Sequence, residues 1–598
     1  MKFSIKLSTF LLLTAAPVIA EELTVLDEIT VTAGYTDTGI SETGASVSVL
    51  GEQDLKYSSS GLIQAFESVP GVSMDTNGGL GTLATISVRG LKQRYVGVRL
   101  DGMDITDPSQ TQTSYDFGAL TSMGLSQVEF LKGSQSAVFG SEAVGGVINL
   151  KTLSSNDKGA RGKFTIEAGS FNTYSSNLSY ENVSDSGSAS FSVSRAETSG
   201  FSAKKTGLGA NEADPYSGNS LNLSLDHSLT NNIGLNFVAL SSSEVLEYDG
   251  FDALNDKQDR DVLSMKFGVE FEVGSITNEF EVTDGNFDRK YYGSGGSLYQ
   301  SDRRDMLYKG QAFFNPVSVT FGASSSKENI KTSSQWENVS GSDTELAYFV
   351  ETSSRVFDEI EVVATARQTD SDDFGSNTSY RAALIYNFNN GVTLRAMGSS
   401  GFRAPSLYER YSASYGNKSL KPEESKTQEV GAEKVYQDGS SARFTIFNTK
   451  VDNLIGSDPN TFAYIQSGDP LKSQGVELSG LWKMNDTVSL NGNYTYTDAK
   501  QGTTVAVRVP KHDLSISIAA EISPEITTSL TANHIRDYKD TGGDMPDYTV
   551  VNAVSSYTIT DGLEGYIRFQ NLLDSDYETI KDFNTGGRQI FAGIRATF

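Results

Sequence analysis

The chain has 598 residues, a formal charge of −27 and no cysteine, which removes disulfide frameworks, thiolate metal sites and cysteine nucleophiles. The acidic balance, without any Lys/Arg run, argues against a nucleic-acid partner, because polyanion binding needs a concentrated basic face. With 57 Gly, 27 Tyr and 31 Phe but only 37% hydrophobic residues, the composition suits many alternating strands joined by glycine turns and is too polar for a helical membrane bundle.

In chain order, residues 1–20 read as a secretory signal. Lys2 and Lys6 form a positive start, residues 10–16 an apolar stretch too short to span a bilayer, and Val18-Ile19-Ala20 a small-residue cleavage site before Glu21-Glu22. No later run of eighteen apolar residues occurs, so an exported chain of this kind is either free outside the cytoplasm or a closed barrel in an outer membrane. The C-terminus favours the barrel: Ile590, Ala592, Ile594, Ala596 and Phe598 fall on one face of a final strand. Alternation recurs upstream at Leu221, Leu223 and Leu225, at Ile233, Leu235 and Phe237, and on both sides of the Asn389-Asn390-Gly391 and Asp561-Gly562 turns. At about ten residues per tilted strand, residues 153–598 would supply on the order of 22 strands, and a barrel that wide needs something in its lumen. The long polar segments 200–220, 244–261, 285–304 and 408–426 are expected as outside loops.

Residues 128–152, VEFLKGSQSAVFGSEAVGGVINLKT, read as strand, glycine turn, small-residue bend and strand. Together with LIQAFESVPG (62–71), ISVRG (86–90) and VGVRLDG (96–102), this run closely resembles the plug domain of TonB-dependent outer-membrane receptors. The resemblance implies an all-β membrane protein of about 22 antiparallel transmembrane strands around an N-terminal plug. Its divisions would be signal 1–20, N-terminal segment 21–43, plug 44–152 and barrel 153–598. It also implies a transporter rather than an enzyme, monomeric in outer-membrane lipid, and no HExxH or G-x-S-x-G motif speaks otherwise. Asp27, Glu28, Ile29, Thr30, Val31, Thr32 and Ala33 form a β-prone heptad, set off from the plug by polar residues 34–39. Such a strand suits capture at a partner's sheet edge, and it is similar to the family's TonB box, the binding point for TonB and its inner-membrane energising complex. Arg89 and Arg99 cannot lose their charge, so inside a barrel they would pair with glutamates, with Glu429, Glu433 and Glu477 as candidates, or face a wet lumen.

Two polar plug loops, 77–85 and 103–117, would floor a ligand vestibule, with Asn77, Leu80, Thr82, Thr85, Asp107, Ser109 and Tyr115 as candidate ligand contacts. Their layout, and FRAPSLYERYSASYGNKSLKPEES at 402–425, resemble the cobalamin receptor subgroup, although the FRAP and N-x-x-L-x-P-E-x-S patterns are family-wide. Cobalamin or a related corrinoid is therefore the first ligand reading and a ferric siderophore the second. A passive gated channel or a surface-binding protein stands as the alternative of another class. No cofactor is required. Calcium is possible in the outer loops, where Asp214, Asp249, Asp252 and Asp256 supply hard oxygen ligands as the cobalamin subgroup does. Haem is disfavoured, because none of His227, His512 and His534 falls within residues 402–425, where an axial ligand is expected.

Overall fold

A computed structural model describes residues 30–598 apart from 58–60, 119, 121–123, 153–157, 206–211, 250–255, 294–295, 336 and 358. The expected signal and Asp27, Glu28 and Ile29 lie outside the described residues. Twenty-two antiparallel strands close into a barrel around an N-terminal plug. Closure joins the first barrel strand, Gly159–Gly169, to the last, Gln589–Thr597, with Ile166 opposite Ile594. This pairing leaves no sheet edge, which the hydrocarbon requires, since an unpaired backbone amide there costs several kcal/mol. The period-2 pattern falls as the alternation predicts. Ile590 and Ile594 are exposed on the outer wall, while Phe591 and Arg595 are buried on the inner one.

The wall is not of even height. Asp256–Val273, Ser297–Phe314 and Asn338–Val356 run to 18, 18 and 19 residues, whereas Leu563–Gln570 has 8. This corrects the loop expectation for residues 285–304, most of which belong to the ends of the strands Ile276–Tyr292 and Ser297–Phe314. Above the bilayer both faces of a strand meet polar surroundings, so alternation fades and a strand reads as a loop. The segment 244–261 is likewise strand through Tyr248 and again from Asp256, and the strand Tyr216–Thr230 begins inside 200–220. Within 408–426 a short helix, Leu407–Tyr411, and the strand from Glu423 flank the connection.

The plug carries a five-stranded sheet in the order Ser46–Leu50, Gln127–Lys132, Gly146–Lys151, Val96–Leu100, Met103–Asp104. Gly146–Lys151 pairs antiparallel with Gln127–Lys132 and parallel with Val96–Leu100, so the signature stretch supplies the central strand and one of its neighbours. Between them one helical turn, Ser136–Phe139, ends at Gly140 with φ +84° and ψ −147°, a conformation that is essentially glycine-only. The plug core is built on Phe66, whose ring meets Phe130 edge-on at 4.9 Å and Phe117 at 5.8 Å. Barrel residues Val238 and Leu240 join this core, so plug and wall share one apolar cluster.

Because Gly140 is strained for any other residue, Gly140→Val is expected to cost about 1–3 kcal/mol of plug stability and to lower folded yield and thermal midpoint. Ligand preference of the inserted fraction should stay unchanged; an inserted mutant with altered preference would contradict a purely structural role.

Candidate functional site

Three sets of side chains tie the plug to the wall, and together they define the working parts. The middle set is centred on Arg89, which is 2% exposed. Its guanidinium makes a two-pronged pair with Glu477, Nε to Oε1 and Nη2 to Oε2 both at 2.8 Å, bonds Glu429 through Nη1, and stacks on Phe447 at 4.6 Å. Lys132 reaches Glu477 at 3.5 Å, so two carboxylates face two cations and the buried group is neutral. Two of the three expected glutamates are thus the partners. Glu433 is not: it holds the barrel arginines Arg395 and Arg443, both at 2.8 Å, which in turn donate to the plug carbonyls of Thr43 and Val47. Nor does Arg99 reach a barrel glutamate; it bonds the Gly102 carbonyl at 3.0 Å and lies 3.5 Å from Asp104.

At the apex, the loop after Val96–Leu100 is fastened by its own acids. Asp107 accepts from the Ser109 amide at 2.8 Å, from Ser301 Oγ at 2.9 Å and from Arg289 Nε at 2.7 Å, and Arg289 Nη2 also donates to Ser109 Oγ at 3.0 Å. Asp107 and Ser109 are buried in this joint, so they fix the loop to the wall. Thr82 is also buried and closes its own turn through the Gly79 carbonyl at 2.7 Å. Asn77, Leu80, Thr85 and Tyr115 are half-buried, with Leu80 packed beside the wall residues Tyr216 and Leu246.

The arginine of the FRAP motif was not read as a site residue, yet it organises the opposite side of the apex. Arg403 is 1% exposed and pairs with Glu409 at 3.0 Å and with Glu423. Glu409 accepts from Gln112 of the plug loop at 3.1 Å, and Ser406, the cap of helix Leu407–Tyr411, donates to the Thr111 carbonyl at 2.7 Å. The family-wide FRAP and P-E patterns were the available signal; their role as a clamp on residues 111–112 needed the fold. Above the loop, Tyr291 meets Tyr248 and Tyr299 edge-on at 5.9 and 5.6 Å, and the Arg289 guanidinium lies 5.0 Å from the Tyr299 ring.

At the base, the described part of the β-prone heptad is not the free strand that its sequence suggests. Val31 and Ala33 are 0% and 3% exposed, packed with Val47, Leu131, Val147 and Ile385. Thr30–Val31 pairs with Thr38–Gly39, so the polar spacer is a hairpin. The Thr32 amide donates to Glu129 at 3.0 Å, and Arg381 of the wall donates to the Ala33 carbonyl and to Gln135 at 2.9 Å while pairing with Glu351 at 2.9 Å. Tyr35 stacks flat on Phe349 at 3.8 Å. Propensity alone cannot foresee this, because the burying partners come from distant strands.

In the outer loops, Asp214 caps the Ala203 amide at 2.7 Å and Asp249 the neighbouring Lys204 amide at 2.8 Å. Asp249 Oδ1 is buried without a hydrogen-bond partner. Desolvation, followed by the carboxylates of Asp249, Glu212 and Glu247, pushes the Asp214 carboxyl up to about 7. Asp256 is buried at the start of its strand, and Asp252 lies outside the described residues. Among the described residues no three His, Asp or Glu side chains converge closely enough to hold a metal ion.

Replacing Arg381 by Gln removes charge-assisted bonds worth about 1.5–3 kcal/mol. Amide exchange across residues 31–35 should therefore rise by about tenfold or more, as read by mass spectrometry on the detergent-purified protein. Unchanged exchange would show that Arg381 does not hold this segment.

Comparison with known proteins agrees with this architecture. Residues 154–572 match the model for the TonB dependent receptor-like β-barrel, and residues 40–147 the TonB-dependent receptor plug domain. The chain is 24% identical to a vitamin B12 transporter, BtuB, of Vibrio vulnificus over 97% of each chain. Among solved structures it resembles the siderophore receptor PirA of Acinetobacter baumannii, with TM-score 0.77, 16% identity and coverage of 92% of this chain and 98% of that one. It also resembles a mutant ferric enterobactin receptor, PfeA, of Pseudomonas aeruginosa, with TM-score 0.78, 17% identity and coverage of 93% and 99%. A barrel closed on itself, a plug pinned inside it and matches to both domain models, one over residues 40–147 and one over 154–572, make this protein a member of the TonB-dependent receptor family, an outer-membrane receptor that transports a small ligand and is not an enzyme.

Proposed function

We propose that the protein takes up cobalamin or a related corrinoid, and that the segment Asp27 to Ala33 is its point of contact with TonB. The observation that carries the ligand reading is the charge state of the vestibule floor. Arg289 is spent on Asp107, Arg303 on Asp104 and Glu328, and Arg260 on Glu244 and Asp116. A floor on which Arg260, Arg289 and Arg303 are internally paired offers little to a highly anionic ferric catecholate complex, and suits a large neutral ligand held by hydrogen bonds and aromatic faces. The whole-chain similarity to vitamin B12 transporters supports the same choice. The siderophore receptors among the structural neighbours keep a ferric siderophore as the second reading, at identities that speak for the fold alone.

Ligand on the floor would act through the joints at Asp107 and Gln112, and the base hairpin would have to leave its pocket before TonB could add a strand to residues 27–33. Calcium fits the outer loops as an accessory ion. Asp249 presents a buried carboxylate oxygen with no partner, beside an Asp214 carboxyl that lacks a counter-charge, and Asp256 and Asp252 would complete an oxygen set.

Equilibrium binding of cyanocobalamin against a panel of ferric siderophores tests the ligand; binding of a siderophore alone overturns the corrinoid reading. Deleting residues 27–33 should abolish uptake and spare binding. Uptake that survives the deletion points to a passive channel instead. For the loops, calorimetry on wild type and on Asp214→Asn/Asp249→Asn should lose one calcium-binding event in the variant, and equal calcium uptake by both proteins removes the ion from these residues.

A further inference from the structure

A second interface cavity lies between the plug and the wall, away from the vestibule floor. It is lined by Glu67 and Asp75 of the plug and by Asp513, Asn533, Tyr548 and Tyr577 of the barrel, among others, and no Lys or Arg lines it. Asp75 is accounted for: it accepts from Tyr538 Oη at 2.8 Å and pairs with Lys92 at 3.5 Å. The next arginine, Arg508, is spent on Asp540 at 2.7 Å. Glu67 and Asp513 are left without an ion pair among the described residues, although Asp513 is only 9% exposed. Glu67 is half-buried, and a buried carboxylate with no counter-charge, such as Asp513, is costly, by several kcal/mol.

Asn533 adds an independent sign. It is 5% exposed, lines the same cavity, and neither its Oδ1 nor its Nδ2 has a hydrogen-bond partner. A buried amide normally satisfies both ends. Here an amide oxygen and two carboxylates, hard donors from one plug residue and two adjacent barrel strands, open into one small space. The space has room for about one ion or water beside its walls, since about 20 Å³ is open to water centres.

We propose that Glu67, Asp513 and Asn533 bind a small hard cation of the calcium or magnesium class, which bridges plug and barrel. The protein donors are all oxygens, as such ions require, and with fewer than three carboxylates the remaining positions would be taken by water. The bound ion would join the plug helix end at Ile63–Phe66 to the wall strands His512–Ser523 and Ile526–Arg536.

Terbium, a luminescent stand-in for calcium, tests this directly, because the Tyr548 and Tyr577 rings, 4.7 Å apart on the cavity wall, can sensitise it. The background is the full chain in detergent carrying Asp214→Asn/Asp249→Asn, which separates this site from the outer loops. Tyrosine-sensitised emission that calcium competes away is expected in that background, and its loss on adding Glu67→Gln/Asp513→Asn. Emission that survives the added pair, or no emission in the background protein, overturns the site. Asn533→Asp adds a carboxylate at nearly constant shape and should tighten terbium binding; unchanged or weaker binding counts against it. A thermal midpoint that follows pH but ignores calcium and magnesium would replace the ion by a shared proton.

Discussion

Everything in this molecule follows from one constraint: within a bilayer no backbone amide can go unpaired, so the sheet must close. Closing it between Gly159–Gly169 and Gln589–Thr597 removes both edges and creates a lumen wide enough to need filling. The filling is a folded domain whose sheet and core are its own, centred on Phe66, Phe117 and Phe130. The barrel does not merely surround it, since Val238 and Leu240 complete that core.

The inner face of the wall is polar by necessity, because the outer face takes the apolar half of each alternation. Arginines placed on it, among them Arg303, Arg381, Arg395 and Arg403, are each matched by a carboxylate. Buried ion pairs add little net stability relative to apolar packing, yet breaking one by removing a partner costs about 3–5 kcal/mol. Such pairs are better understood as position markers. They fix where the plug sits, at the apex through Asp107 and Gln112, and lower in the lumen through Arg89 and Arg381. A domain held at separate levels by discrete contacts can loosen at one level while staying seated at another. That is the property a receptor needs if ligand arrives above and its energy source acts below.

The sequence was informative where the chemistry is local. Period-2 alternation and the terminal face ending at Phe598 revealed the barrel, and the glycine-dense run at 128–152 revealed the plug, because a turn or a strand face is decided by neighbours a few residues apart. The tall wall escaped notice, because strands above the membrane have water on both faces and lose their alternation. The Val31 to Ala33 stretch looked free for a similar reason: β propensity describes a strand's capacity to pair, not what already covers it.

Sequence by itself therefore determined the class, the plug-and-barrel division of the family and the presence of arginines that had to find partners. Only the tertiary structure decided which partners. Arg89 and Glu477 lie 388 residues apart, and the separation from Glu429 is 340. Glu433 lies four residues along the same strand from Glu429 and grips Arg395 and Arg443 instead. Which glutamate meets the plug arginine depends on the register of the barrel strands and on the height at which the plug is seated, and no short stretch of sequence encodes either.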